Sequence, residues 1–194
     1  MADTTQKPFG PTGDASRHRT LEDLETGLLA LPVAPKESGR VTFLMRRDAD
    51  KTRVILERTI LSPEEGLPDD NWGRNPDRLP DAQLAVMRHD VAELIANGQS
   101  LTLFGDSLFV DLDITAENLP TGTRIRVGKA LIEVTPMPHD GCAKFNARFG
   151  NGALKFVAAK ATRNQNRRGI YWRVVEAGEV AVNSTIHVIR PTQT

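Results

Sequence analysis

Cys142 is the only cysteine of the chain, and its neighbours are residue types that make a thiol reactive. It lies in the segment PHDGCAKFNARFG, residues 138–150, where His139 precedes it and Lys144 and Arg148 follow it. Cationic side chains and the beginning of a helix both favour the thiolate form of a cysteine. A thiolate can carry sulfur, attack an electrophile or ligate a soft metal. The alternative is a buried, inert cysteine, because free cysteines are among the most buried residues.

The segment that follows Cys142 carries charge of one sign, although the whole chain has 25 basic and 25 acidic residues. Residues 141–175 contain no Asp or Glu. Their cations are Lys144, Arg148, Lys155, Lys160, Arg163, Arg167, Arg168 and Arg173. Such a segment around the only thiol predicts an anionic ligand. The alternative is a solvated face whose acidic partners come from elsewhere in the fold.

Four of these cations are the predicted anion contacts: Lys144, Arg148, Arg163 and Arg167, in that order. Lys144 and Arg148 are four residues apart, so both lie on one face of a helix. Two cations on one face repel each other unless an anion lies between them. His139 could pair with the thiolate or bind the anion, and the alternative is a solvent-facing loop histidine.

Other kinds of chemistry find no support in the sequence. It has no cluster of Cys and His at zinc spacing, no Gly-x-Ser-x-Gly, no phosphate-binding P-loop and no dinucleotide-binding motif. An aromatic content of 5% and a pI of about 6.9 argue against a nucleic-acid partner. Without an apolar run of about 18 residues, no membrane span is expected. A single cysteine excludes an internal disulfide, and we expect a cytoplasmic protein.

The elements that must position Cys142 are mostly strands. Thr20 is a candidate N-cap for a short helix over residues 21–28. A loop rich in proline and glycine over residues 62–80 predicts a functional or disordered segment. Helices are further predicted over residues 88–97, 143–149 and 153–160. Strands are predicted over residues 40–47, 52–60, 108–114, 124–127, 130–135, 169–176 and 185–190. Many strands with a few short helices are typical of a β-rich, barrel-like fold.

Several segments, in this order along the chain, resemble the MOSC domain, the molybdenum cofactor sulfurase C-terminal domain, in its small stand-alone bacterial form. The most specific is His-x-Gly-Cys-x-Lys-Phe followed by Arg-Phe-Gly within residues 139–150. The others are residues 61–72, 105–113, 118–120, 127–128 and 168–180. The resemblance covers roughly residues 39–190 and implies a MOSC-like β-barrel with a short strand near residues 83–87. We therefore expect one domain over residues 39–194, preceded by a flexible tail over residues 1–38 that contains the short helix.

The resemblance also implies a function. MOSC domains are associated with the molybdenum cofactor, a phosphorylated pterin dithiolene, and with sulfur carried as a cysteine persulfide. It implies that Cys142 carries the sulfur or ligates molybdenum, and that His139, Lys144, Arg148, Arg163 and Arg167 bind the cofactor. A protein that donates sulfur is the implied partner. Whether the chain is an enzyme, for sulfur transfer or molybdenum-dependent oxidoreduction, stays open.

Two features limit this interpretation. The pyridoxal-phosphate desulfurase domain of some relatives is missing, and no lysine is identifiable as a Schiff-base residue, so pyridoxal phosphate is not supported. Ser107 occupies a position where relatives often carry Asn. The alternative function is a non-catalytic anion- or nucleotide-binding module that uses the basic segment 141–175 and ignores the thiol.

Overall fold

Ten strands and four α-helices form the described part of the chain, residues 12–190 of a computed structural model. The helices are α1 (Leu21–Ala30), α2 (Asn71–Arg74), α3 (His89–Ala96) and α4 (Ala143–Ala158). The strands are β1 (Ser38–Arg47), β2 (Arg53–Leu56), β3 (Arg58–Leu61), β4 (Leu84–Arg88), β5 (Leu108–Asp111), β6 (Arg124–Val127), β7 (Ala130–Val134), β8 (Ile170–Glu176), β9 (Gly178–Ala181) and β10 (Thr185–Ile189). Short 3-10 helices lie at Ala15–Arg17, Pro80–Ala82, Leu101–Leu103 and Lys160–Gln165.

Seven of these strands close into a barrel. The order around it is β1, β5, β4, β8, β7, β6 and β10, and β10 pairs with β1 to complete the circuit. Only the β4–β5 pairing in this barrel is parallel, so the sheet is mixed. Strand β2 extends the sheet beyond β1, whereas β3 and β9 form a separate pair. The predicted β-rich, MOSC-like barrel with a few helices is confirmed.

The two faces of the barrel wall bury two hydrophobic clusters. On β5, Leu108 and Val110 point into the barrel, while Phe109 between them joins a second cluster under the helices. This alternation follows from the two-residue period of a strand. The second cluster includes Phe104, which precedes β5, together with Phe145 and other side chains of α1, α3 and α4. The beginning of α4, next to Cys142, is therefore anchored to the barrel through Phe145.

The segment before β1 packs against the domain. Thr20 and Asp23 form a capping box at the start of α1, and Leu24 on that helix is fully buried. The Arg19 guanidinium donates to the side-chain oxygen of Asn97 at 3.0 Å. Residues 12–37, expected to belong to a flexible tail, are thus part of the packed structure, because their apolar face covers the helical core. The rest of the expected tail, residues 1–11, lies outside the described residues, as do residues 191–194.

Most strand and helix predictions agree with the structure, but one predicted strand is divided in two. The strand predicted over residues 52–60 is divided at Glu57, because β2 pairs with β1 while β3 pairs with β9. Both helices predicted after Cys142 are present within α4, whose helical backbone is interrupted at Gly150, where φ is 83° and ψ is 170°. A side chain there would lie 2.6 Å from the His18 ring, so glycine is required. No helix within residues 12–190 is long and apolar enough to cross a bilayer.

Candidate functional site

A cavity of about 510 Å³ opens beside Cys142. Its walls come from the β1–β2 hairpin, the proline-rich loop, the segment before β5, the start of α4 and strand β8. The lining cations are Arg47, Lys51, Arg53, Lys144, Arg148 and Arg168, and the lining carboxylates are Asp48 and Asp140. The excess of cations makes this cavity suited to an anionic ligand.

The thiol lies at the helix start that the sequence predicted. Cys142 is the N-cap residue of α4, with an extended backbone, and its carbonyl accepts a hydrogen bond from the Asn146 amide at 3.0 Å. The residue is exposed and lines the cavity. One turn into the helix, Lys144 and Arg148 line the same cavity. The structure thus brings together Cys142, His139, Lys144 and Arg148 of the predicted site residues.

Three guanidinium groups from different segments meet in this cavity. The pKa of Arg53 is lowered, first by burial and then by the charge of Arg47. The pKa of Arg148 is also lowered, first by burial and then by the charge of Arg53, with an opposing contribution from Cys142. These influences place Arg53 within electrostatic reach of both Arg47 and Arg148, and all three line the cavity. An oxyanion among them would relieve their mutual repulsion.

Arg53 has a donor that the described residues leave unused. Its Nη1 donates to the Lys51 carbonyl at 2.8 Å, but its Nε is buried without a hydrogen-bond partner in residues 12–190. A buried donor without an acceptor costs about 1–3 kcal/mol. Arg148 donates through Nη1 to the Leu103 carbonyl at 2.8 Å, which fixes its position in the cavity wall.

Arg47 is held in place by Asp70 of the proline-rich loop. The Asp70 carboxylate accepts hydrogen bonds from Arg47 Nε at 3.2 Å, Nη2 at 2.7 Å and the backbone amide at 2.8 Å. Burial alone would lower the pKa of Arg47, but its contacts with Asp70 outweigh burial and raise it. The same contacts lower the pKa of Asp70 against the opposing effect of burial. Both groups are therefore ionised at neutral pH.

His139 lies in the cavity wall as a neutral imidazole. Burial, followed by the charge of Arg168, lowers its pKa from 6.5 to about 3, although Asp106 acts in the opposite direction. Its Nδ1 lies 3.5 Å from the Asp106 carboxylate, and its ring packs against Tyr171 with centroids 4.4 Å apart. The imidazole is uncharged near neutrality, so it cannot form the ion pair with the thiolate that the sequence suggested. It can still hydrogen-bond a ligand.

A buried ion pair supports this wall. Arg168 Nη1 donates to both carboxylate oxygens of Asp106, at 2.9 and 2.8 Å, and neither side chain is more than 9% exposed. The guanidinium also lies 5.0 Å from the Phe145 ring centroid. Because Asp106 holds Arg168 and lies beside His139, it links the segment before β5 to the residues just before β8 and to the loop that ends at Cys142.

Two of the predicted anion contacts, Arg163 and Arg167, lie outside the cavity lining. Arg163 pairs with Asp140 on the surface, at 2.9 Å. Arg167 is buried, and its two terminal nitrogens donate to the Glu25 carboxylate at 2.6 and 2.9 Å. Its guanidinium lies over Phe156, 4.4 Å from the ring centroid. Arg167 therefore fastens α1 to the domain on another side of the molecule.

The sequence analysis did not select Arg47, Lys51, Arg53 or Arg168 as site residues. The first three lie in the basic segment RRDADKTR, residues 46–53, where the strands predicted over residues 40–47 and 52–60 meet. The cluster of cations in this short segment was the feature of the sequence that could have identified these site residues. Arg168 was counted in the one-sign segment, but nothing in its spacing separates it from Arg167.

The described residues contain no group of three or more His, Cys, Asp or Glu side chains that could hold a metal ion. A metal bound here would find Cys142 as its soft protein ligand, and its remaining ligands would come from a cofactor or from solvent.

Solved structures share the fold. The chain is similar to YiiM from Escherichia coli, with 22% identity over 84% of this chain and 73% of that chain, at a TM-score of 0.51. It is also similar to YiiM from Geobacillus stearothermophilus, with 14% identity over 78% of this chain and 75% of that chain, at a TM-score of 0.53. The YUAD protein from Bacillus subtilis shows 16% identity over 80% of this chain and 98% of that chain, at a TM-score of 0.57. At these identities the likeness shows the fold alone.

A comparison with curated proteins finds no match. The family model of the MOSC domain matches residues 80–187, more than half of the chain. This range includes Cys142, Lys144, Arg148 and Arg168, although it leaves out the hairpin that carries Arg47 and Arg53. With the barrel and the order of its segments, the match establishes that the chain belongs to the MOSC domain family.

Proposed function

We propose that the cavity binds a phosphorylated ligand of the molybdenum cofactor type, and that Cys142 either carries a terminal sulfur or ligates the metal of that ligand. The observation that supports this proposal most directly is the group of three guanidiniums, Arg47, Arg53 and Arg148, in one cavity with an exposed thiol. Guanidinium groups suit phosphate because their fork of donors matches its oxygens. A thiolate suits a soft metal or a sulfur cargo.

The residues present fit such a cofactor. The buried Nε of Arg53 is a donor ready for a phosphate oxygen, and Lys144 adds a mobile charge at the cavity edge. When bound, the cofactor supplies the redox-active molybdenum centre that the protein's own side chains lack. Cys142 would be its protein ligand, and the packed rings of His139 and Tyr171 would line the same cavity.

In the sulfur-carrying form of the proposal, the Cys142 thiolate attacks the outer sulfur of a persulfide on a donor protein. The sulfur–sulfur bond of the donor breaks, the donor leaves as a thiolate, and Cys142 holds the transferred sulfur as a persulfide. Lys144 and Arg148 line the same cavity as the thiol, so their positive charges lie near the site of this exchange. We place this exchange in the cytoplasm, where thiols remain reduced.

The test is analysis of the protein purified from a molybdenum-replete host. Intact mass spectrometry would detect one added sulfur that a reductant removes, and elemental and pterin analysis would detect a bound cofactor. Cys142→Ala and Cys142→Ser should both abolish the added sulfur and the bound molybdenum. Cys142→Ser is the sharper variant, because it keeps the size of the side chain but removes the soft thiol.

The second candidate is an anion- or nucleotide-binding module that does not use the thiol. The arginine group favours it, since Arg47 and Arg53 come from a hairpin far from Cys142 in sequence. This candidate is preferred if wild type and both Cys142 variants bind phosphate equally and neither sulfur nor molybdenum is ever found. The cofactor proposal is then refuted.

A further inference from the structure

The segment before α1, residues 13–18, packs on the part of α4 that carries Arg148. A side chain on Gly13 would overlap the Arg148 carbonyl oxygen, so the backbone of Gly13 lies directly against that residue. The ring of His18 reaches the same carbonyl, with its Nε2 3.2 Å from the oxygen. Two residues of one segment thus contact the backbone of a residue that lines the cavity.

The contact between His18 and Arg148 is a hydrogen bond with one possible direction. A carbonyl oxygen only accepts, so Nε2 of His18 carries a proton and donates. The helical backbone of α4 is interrupted at Gly150, two residues after Arg148. An interruption leaves backbone carbonyls without their regular partners in a helix, so a donor from another segment can satisfy one of them. Because a side chain at Gly150 would lie 2.6 Å from the His18 ring, the glycine also makes room for this donor.

The same segment contacts the stretch that holds the other end of Arg148. The guanidinium donates through Nη1 to the Leu103 carbonyl at 2.8 Å. Leu103 ends a 3-10 helix that begins two residues after Gln99, and the side-chain oxygen of Gln99 accepts from the Asp14 amide at 2.7 Å. Residues 13–18 are therefore fastened both to the backbone of Arg148 and to the stretch that anchors its side chain.

The residues on either side of His18 are both bonded to Asn97. The side-chain oxygen of Asn97 accepts from Arg19 Nη2, and its side-chain nitrogen donates to the Arg17 carbonyl, each at 3.0 Å. A side chain on Gly152 would overlap the Arg19 carbonyl oxygen, so the chain also lies close to α4 beyond the interruption. With both neighbours fixed, the imidazole loses little further conformational freedom when it forms its hydrogen bond.

We infer that His18 is a positioning residue of the anion site, and that it acts with Gly13 by holding Arg148 where its guanidinium meets the ligand. Neither His18 nor Gly13 lines the cavity, and both lie outside the range 80–187 that the family model matches. His18 is 130 residues away from Arg148 along the chain. The inference rests on the proposed anion-binding function and adds to it a segment that precedes the barrel.

The test is a double-mutant cycle, in which inorganic phosphate is titrated calorimetrically into wild type, His18→Ala, Arg148→Met and the double variant. Arg148→Met should weaken phosphate binding about tenfold or more, because it removes a charge-assisted hydrogen bond. His18→Ala should weaken binding about fivefold in the wild-type background, within the coupling that residues of one network commonly show. It should cause no further loss in the Arg148→Met background, since His18 acts through Arg148.

Three more variants separate positioning from a purely structural role. His18→Gln places an amide nitrogen near the position of Nε2 and should recover most of the affinity that His18→Ala loses. Gly13→Ala pushes on the Arg148 carbonyl from the other side of the contact and should weaken binding even if His18→Ala does not fold. His187→Ala is the matched control, because His187 is exposed on β10, and it should leave the affinity unchanged.

The Tm of each protein, measured by scanning calorimetry, completes the comparison. A loss of affinity that His18→Gln restores and that Arg148→Met abolishes supports the inference. If the His18 or Gly13 variants lower the Tm but keep the affinity for phosphate, or if His18→Ala weakens binding in the Arg148→Met background as well, the positioning role is refuted while the anion site stands. If Arg148→Met binds phosphate as tightly as wild type, or if no protein binds it, the anion-binding function fails at Arg148 and the inference fails with it.

Discussion

Replacing Arg53 by methionine should stabilise the free protein and weaken its binding of phosphate. The guanidinium is partly buried, its Nε has no acceptor in the described residues, and the charge of Arg47 acts against it. Methionine fills a similar volume without charge. Removing the buried donor should recover about 1–3 kcal/mol, from which the loss of the Nη1 bond to the Lys51 carbonyl subtracts about 0.5–1.5 kcal/mol.

The net gain in the free energy of unfolding is therefore about 1 kcal/mol, which corresponds to a rise in Tm of about 2–4 °C for a chain of this size. Binding should change in the opposite direction. Charge-assisted hydrogen bonds contribute about 1.5–3 kcal/mol, so the affinity for phosphate should fall about 10- to 100-fold. The stability order should then reverse at high phosphate, because a ligand stabilises only the protein that binds it.

Scanning calorimetry in a phosphate-free buffer, repeated over a phosphate titration, measures both effects. Arg58→Met is the matched control, since Arg58 lies exposed on β3, outside the cavity lining, and should change neither quantity. A lower Tm for Arg53→Met without phosphate, together with an unchanged response to phosphate, would refute the interpretation of the arginine group as an anion site.

Three further predictions concern the residues around the cavity. Cys142 should react with iodoacetamide faster than free cysteine at pH 6–7 and more slowly in Lys144→Ala, and a thiol that resists labelling until unfolding would contradict this. The folded pKa of His139, about 3, lies below the ordinary 6.5, so the unfolded chain takes up the proton first and stability should fall as the pH drops below 6.5, by at most about 1.4 kcal/mol per pH unit. Urea titrations at pH 7 and 5 should show that His139→Gln reduces this loss, and an equal loss in both proteins would show that His139 is not neutral in the fold. Arg167→Met should destabilise the protein by about 2 kcal/mol, because it leaves Glu25 unpaired, but it should not change the affinity for phosphate. A loss of phosphate affinity at unchanged stability would instead indicate that Arg167 contacts the anion.

Local patterns predicted the parts of the site that are close in sequence. Lys144 and Arg148 share a cavity with Cys142 because four residues make about one turn of helix, a relation that holds in any fold. The N-cap at Thr20 was predictable for the same reason, since a cap depends on neighbouring backbone groups. The alternation on β5 indicated a strand, although not that both of its faces are buried.

What the sequence could not predict depends on which strands pair. The basic hairpin is far from the thiol in sequence, yet residues 47 and 53 line the same cavity as residues 142–148 in the folded barrel. Long-range packing also buries Asp106 against Arg168 and lowers the pKa of His139 by burial, and no local spacing predicts either contact.

The sequence by itself determined the position of the only thiol, its adjacent cations, the β-rich class and the family, because each depends on residue type or short spacing. Only the tertiary structure decided which cations of the one-sign segment line the cavity beside the thiol. Arg167 and Arg168 are adjacent along the chain, yet one fastens α1 through Glu25 while the other lines the cavity. Adjacent residues can point to opposite sides of the backbone, and only long-range packing determines which side meets the cavity.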